Sequence, residues 1–131
     1  MSDNTMVIPA GRNYQNGDCA TLATAIWEIA FLPTGEWKIA IFEGAGAHVV
    51  AITPDGRYLD SLGIRTEADI RGNWYEKLTI VNSAEGLYAE GWDAGCQADD
   101  YRAALAVLEN AGLATDDARD RAAHEIEKLE D

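Results

Sequence analysis

The chain has 131 residues, 47% of them hydrophobic, which suits one globular domain with a core of its own and argues against a disordered chain. Its 10 basic and 23 acidic residues give a formal charge of −13, which argues against direct binding of nucleic acid because phosphates carry the same sign. The chain shows no run of about 18 apolar residues and no secretion signal near its start, so we expect a cytoplasmic protein without a membrane span.

The first predicted element is a helix in the segment GDCATLATAIWEIAFL, residues 17–32. Asp18 is a suitable N-cap for it, and PTGE ends it. Residues 1–16 show no regular pattern. The helix carries one apolar stripe at three- and four-residue spacing, made of Leu22, Ile26, Ile29 and Ala30.

Three strands are predicted next, in WKIAIFE (37–43), HVVAIT (48–53) and RYLDSLG (57–63). The second and third surround PDG, which is typical of the turn in a hairpin. With Gly56 in the left-handed conformation, residues whose numbers add up to 110 lie opposite each other. His48 and Asp60 then lie on the same face as diagonal neighbours, close enough for an imidazole and a carboxylate to form a hydrogen bond.

The remaining elements are mostly helical. A short helix is predicted in TEADIRGNW, a strand in YEKLTIVNS, and a loop or short irregular strand in AEGLYAEGWDAGCQA (84–98). Two helices follow in residues 99–112 and 115–131, the first ended by Gly112. Their expected apolar faces are Tyr101, Leu105 and Leu108, then Ala118, Ala122, Ile126 and Leu129. The order of a helix, a small antiparallel sheet and two helices predicts a single α+β domain over residues 1–131.

Cys19 is the first candidate for chemistry. It follows the expected N-cap, where unpaired backbone N–H groups and the helix dipole favour the thiolate. The same N–H groups can stabilise an oxyanion, and Gly17 leaves room for a substrate. A free cysteine is also often a small buried apolar residue, and His48 and Asp60 taken singly are compatible with surface positions, so these alternatives stay open.

The order of a cysteine at the start of a helix, a histidine on a strand and an aspartate on the next strand resembles the papain-like cysteine peptidases. QNGDCATLATA is similar to the catalytic opening of NlpC-type peptidases, and HVVAITPDGRYLDSLG is similar to the histidine-to-aspartate hairpin of small transglutaminase-like proteins of bacteria and phages. The resemblance covers residues 13–81. It implies that Cys19 is the nucleophile, His48 the base and Asp60 the residue that orients it. It also makes Gln15 the nearest match to the glutamine of the oxyanion hole.

Other combinations give weaker signals. Cys96 and His124 are interpreted as structural residues, and the spacing of the two cysteines and two histidines shows no metal motif, so neither a metal nor a cofactor is predicted. GAGAH lacks the lysine and the helix of a phosphate-binding loop. Three aromatic residues are candidates for a groove, although aromatic residues in a core are commoner: Trp74, Tyr88 and Trp92.

Two functions are therefore expected. One is a cysteine-dependent hydrolase or acyltransferase that acts on an amide, isopeptide or thioester bond of a protein or peptide-like substrate. The alternative is a catalytically silent acidic protein on the same scaffold, which blocks a basic partner and resembles nucleic acid in its charge. In the second case the acidic helical part, about 99–131, carries recognition and is dispensable for thiol chemistry. Its carboxylates include Asp99, Asp100, Glu109, Asp116, Asp117, Asp120, Glu125, Glu127 and Glu130. The sequence does not fix the oligomeric state.

Overall fold

The computed structural model describes residues 14, 18–30, 35–44, 46–71, 75–92 and 95–130, and these have the predicted α+β class. They form five helices and one antiparallel sheet of five strands. In chain order the elements are α1 (Cys19–Ala30), β1 (Lys38–Gly44), β2 (Ala47–Ile52), β3 (Tyr58–Asp60), β4 (Gly63–Arg65), α2 (Glu67–Arg71), β5 (Tyr75–Val81), α3 (Ala84–Ala89), α4 (Ala98–Asn110) and α5 (Asp116–Glu130).

The sheet has the strand order β4-β3-β2-β1-β5, with all neighbours antiparallel. Alternate residues of its central strands are buried on opposite faces. Ile39, Ile41 and Val49 form one apolar cluster with α1 residues. Phe42 and its neighbours on the other face pack with Ile70 of α2. Both faces of the central strands are therefore covered.

Helix α1 lies between the sheet and the two C-terminal helices, and it contacts both layers. Its predicted stripe, Leu22 to Ala30, is buried against α4 and α5. Ala20 and Ala23 face the sheet, where their small side chains permit close packing. Cys19, which begins the helix, is thus fixed by contacts on two sides.

The predicted faces of α4 and α5 are correct except at one end. Ala118 and Ala122 are buried, and Ile126 packs against the core, but Leu129, near the C-terminal end of α5, is 49% exposed. Because α1 buries its stripe against α4 and α5, these two helices belong to the same hydrophobic core as α1. Whether they are dispensable for thiol chemistry stays a prediction.

Asp100 is the clearest correction in this region, because the sequence places it on an acidic surface and the structure buries it completely, at 0% exposure. Its carboxylate accepts hydrogen bonds from the Tyr14 hydroxyl and from the backbone N–H of Gln97, both at 2.7 Å. Asp100 therefore connects Tyr14 to the first turn of α4.

Two further predictions differ from the structure. Residues 84–98 were expected to form a loop or strand, but Ala84–Ala89 is a helix whose N-cap, Ser83, accepts a hydrogen bond from the Gly86 N–H. The cap outweighs the poor helix propensity of glycine. The expected strand 57–63 ends at Asp60, turns, and resumes as β4. Gly63, with φ of 102°, permits this turn.

Among the described residues, no helix combines the length and the apolar character that crossing a bilayer requires.

Candidate functional site

The hairpin of β2 and β3 has the predicted register. Ala51 pairs with Leu59, so opposed residues add up to 110 as expected. The turn owes this register to Gly56, which has the predicted left-handed conformation with φ of 87°. His48 and Asp60 consequently meet, with His48 Nε2 3.0 Å from Asp60 Oδ2. Neither residue lies on the surface: they are 5% and 3% exposed.

Cys19 reaches the sheet through a backbone N–H group that β3 leaves unpaired. The Thr53 N–H donates to the Arg57 carbonyl across the hairpin at 2.8 Å, and every second N–H along a strand points the same way. The Val49 N–H therefore points to the side on which β3 lies. Because β3 ends at Asp60, it offers no acceptor to the Val49 N–H. The Val49 N–H donates instead to Cys19 Sγ at 3.3 Å.

The Cys19 thiol is 2% exposed, and burial raises its pKa. Interactions with the His48 imidazole and with the backbone N–H groups of Val49 and Ala20 oppose this effect. They outweigh it, so the pKa of Cys19 lies below its usual value of 9.0. The location at the helix start and beside an imidazole thus favours the thiolate, the nucleophilic form.

His48 is the other member of this pair. Burial lowers the pKa of its imidazole, but the Asp60 carboxylate and Cys19 raise it to about 9. Nε2 is occupied by Asp60, whereas Nδ1 is buried and has no hydrogen-bond partner among the described residues. By elimination, Nδ1 is the ring nitrogen that remains to exchange a proton.

Asp60 is held from three directions. Its Oδ2 lies 3.0 Å from His48 Nε2 and 3.0 Å from Arg65 Nη1, and its Oδ1 accepts the Leu62 N–H at 2.9 Å. Burial raises the pKa of the carboxyl group, and these partners together hold it below its ordinary value. The carboxylate is thus ionised and fixed in orientation.

The sequence interpretation missed Arg65, which forms a partly exposed ion pair with the buried Asp60. The available signal was Gly63. A glycine three residues after an aspartate favours a turn after Asp60, and a turn there returns Arg65 to a position beside Asp60 on the next strand. In the register of β4 on β3, Arg65 lies opposite Tyr58 and Gly63 lies opposite Asp60. Arg65 is therefore a diagonal neighbour of Asp60.

The other predicted positions have different outcomes. Gln15 and Trp74 lie outside the described residues, so the oxyanion role of Gln15 stays a prediction. Tyr88 and Trp92 line a cleft of about 260 Å³ together with residues of α1. That cleft includes Glu28 but not Cys19.

Cys96 and His124 occupy separate environments. The Cys96 thiol donates to the Thr21 carbonyl at 3.4 Å and packs against the core, whereas His124 is exposed on α5. Within the described ranges, no group of three or more His, Cys, Asp or Glu side chains could hold a metal ion.

Comparisons with known proteins identify no relative. No protein-family model, no curated protein and no solved structure matches the chain. The functional argument therefore depends on the geometry of the site.

Proposed function

We propose that the protein is a cysteine-dependent hydrolase or acyltransferase, with Cys19 as nucleophile, His48 as general base and acid, and Asp60 as the residue that orients His48. One observation carries the proposal. A thiol at a helix start and a histidine hydrogen-bonded to a buried carboxylate adjoin each other, and they shift each other's pKa toward the thiolate and the imidazolium.

The chemistry follows from these positions. The Cys19 thiolate attacks a carbonyl carbon, and the oxyanion that forms is stabilised by N–H groups at the start of α1. His48 then transfers the proton on Nδ1 to the leaving amine or thiol, which departs and leaves a thioester on Cys19. Water, deprotonated by His48, releases the acid and regenerates the thiol. An amine in place of water gives acyl transfer.

The papain-like resemblance supports the same proposal. A nucleophile at the start of a helix, packed on an antiparallel sheet that carries the histidine and then the aspartate, is the arrangement that this resemblance implies. The proposed substrate is a protein or peptide-like molecule with an amide, isopeptide or thioester bond. Gln15 is proposed as an additional donor to the oxyanion.

The test is capture of the acyl-enzyme. The protein is mixed with p-nitrophenyl acetate at neutral pH, and intact-mass spectrometry with peptide mapping locates the acetyl group. We expect stoichiometric acetylation of Cys19 with a burst of nitrophenol, and neither result in Cys19→Ala or His48→Ala. The Cys96→Ser variant is the matched control and should behave as wild type. Acetylation of lysines or of Cys96 alone would reject the proposal.

A second proposal, an acidic protein that binds a basic partner, is favoured by one region of α5. Asp117, Asp120 and Glu127 are exposed and form no ion pair with a described residue. By contrast, other carboxylates of α4 and α5 pair with arginine or lysine side chains of the same two helices, as Asp99 and Glu130 do with Arg102. The available acidic surface is therefore smaller than the formal charge suggests.

This second proposal is tested by affinity capture from host lysate at low and high salt. The variant Asp117→Asn/Asp120→Asn/Glu127→Gln is compared with a control that loses the same charge elsewhere, Glu76→Gln/Glu85→Gln/Glu90→Gln. A basic protein retained at low salt by wild type and by the control, but not by the α5 variant, would support it. Equal capture by both variants would reject this surface.

A further inference from the structure

Arg65 stands at the end of β4 and joins the proposed catalytic residues to α2. Its Nη1 lies 3.0 Å from Asp60 Oδ2, and its Nη2 donates to the backbone carbonyl of Asp69 at 3.3 Å. Two different elements thus fix the two ends of the guanidinium. An ordinary surface ion pair, in contrast, leaves the arginine side chain flexible. The carboxylate partner is buried, so this ion pair is screened less than an exposed one.

The same carboxylate oxygen serves two donors. His48 Nε2 and Arg65 Nη1 are each 3.0 Å from Asp60 Oδ2, while Oδ1 is occupied by the Leu62 N–H. The imidazole and the guanidinium are consequently held within about 6 Å of each other, a separation at which like charges repel. Because Arg65 also neutralises the Asp60 carboxylate, this carboxylate stabilises the His48 imidazolium less than it would alone.

We propose that Arg65 is a positioning residue of the site, which fixes the Asp60 carboxylate and, by sharing Oδ2 with His48, limits how strongly the imidazole holds its proton. The inference deepens the proposed function and rests on it. A histidine that acts as both base and acid must release its proton to the leaving group, and an aspartate without a second partner would retain that proton more strongly.

The charged groups around His48 determine the expected sign. Cys19 on α1 and Asp60 on β3 favour the imidazolium. The Arg65 guanidinium on β4 shares Asp60 Oδ2 with His48, so we expect it to oppose the imidazolium by like-charge repulsion. On β1 the residue paired with His48 is Phe42, which carries no charge. The acidic residues in the first turn of α2 are Glu67 and Asp69, which accept hydrogen bonds from the Tyr58 hydroxyl and the Thr66 N–H, respectively. Removal of Arg65 should therefore raise the pKa of His48.

The experiment measures the pKa of His48 by NMR titration of the imidazole signals. The background is Cys96→Ser/His124→Gln, which leaves His48 as the chain's only histidine, because the sequence contains two. Arg65→Gln is the neutral variant, and Arg65→Met is a second one. Arg57→Gln is the matched control: it removes the same charge from the connection that precedes β3, where Arg57 pairs with the exposed Asp55.

In Arg65→Gln we expect the pKa of His48 to rise by about one unit above the background value. Arg65→Lys, which restores the charge, should return it to within about 0.3 unit, and Arg57→Gln should leave it unchanged to the same precision. An unchanged or lowered pKa in a folded neutral variant would overturn the inference, because a merely structural arginine would give that result. Failure of both neutral variants to fold would overturn it too, since Arg65 would then be needed for folding itself.

The titration is independent of turnover, so the two proposals can fail separately. If Cys19 is not acetylated but the pKa of His48 rises in Arg65→Gln, the proposed function fails and the charge relation stands. If Cys19 is acetylated and the pKa does not rise, the inference about Arg65 fails and the nucleophile stands.

Discussion

A thiol that is almost fully buried is usually an inert part of a core. Cys19 is buried to this degree, but the partners of its sulfur favour the thiolate. The sulfur accepts the Val49 N–H and adjoins the imidazole of His48, so the anionic form gains more from its neighbours than it loses through burial. Cys96 lies in a different environment, where its thiol donates to the Thr21 carbonyl at 3.4 Å. The two cysteines of one small protein are therefore chemically different.

The first prediction concerns the effect of His48 and Asp60 on the reactivity of Cys19. In a Cys96→Ser background, His48→Ala should slow alkylation of Cys19 by iodoacetamide at pH 7 by about 100-fold, because the thiolate loses its cationic partner. Asp60→Asn should slow it by about 10-fold, since the asparagine still orients the ring but no longer stabilises its charge. Reaction rates come from mass spectrometry, with thermal unfolding as a check on the fold. If Asp60→Asn has no effect while His48→Ala has a large one, Asp60 is not the third member of the site.

At the scale of elements, the hairpin shows what can be predicted and what cannot. PDG, with its single glycine, specifies a turn, and the turn fixes the register that places His48 and Asp60 on one face. The contact between Cys19 and Val49 was beyond prediction, because it depends on where β3 ends. Gly63 indicates a turn after Asp60, which also predicts β4 and the return of Arg65. Neither alternation nor composition, however, fixes the residue at which β3 ends.

The second prediction tests the origin of this register. Gly56→Ala should lower the free energy of unfolding by about 1 kcal/mol, because alanine is strained at the φ of 87° that the turn requires. Gly46→Ala is the control, since an added Cβ there meets nothing within 4 Å and the backbone is not left-handed. Urea denaturation measures both variants. Equal stability of the two would show that the turn does not depend on the left-handed conformation of Gly56.

At the scale of the whole molecule, the acidic helices α4 and α5 share a hydrophobic core with α1, the helix that carries Cys19. The α+β class and most elements were predictable from hydrophobic periodicity, and so was the buried face of α4. The burial of Asp100 could not be predicted, because the sequence does not distinguish Asp99 from Asp100 at the start of a helix. Only the tertiary structure shows that one carboxylate bonds to Tyr14 while its neighbour bonds to an exposed arginine.

This pair of aspartates gives the third prediction. Asp100→Ala should destabilise the protein by about 2–4 kcal/mol, because the buried hydrogen bond from the Tyr14 hydroxyl and the partly buried one from the Gln97 N–H both lose their acceptor. Asp99→Ala, next to it, removes only an exposed ion pair with Arg102 and should change stability by less than about 0.5 kcal/mol. Both free energies are measured by urea denaturation. Equal effects would mean that Asp100 does not connect Tyr14 to α4.

The most direct test of the central claim is the pH dependence of Cys19 alkylation in the Cys96→Ser protein, compared with His48→Ala in the same background. The His48 imidazolium is present at neutral pH and is lost as the pH rises through about 9, while the thiolate persists below the usual thiol pKa of 9.0. We therefore predict that the rate of Cys19 alkylation inflects below pH 9.0 on the acid side, and that this inflection moves upward in His48→Ala. A single rise centred near 9.0, identical in the two proteins, would contradict the account.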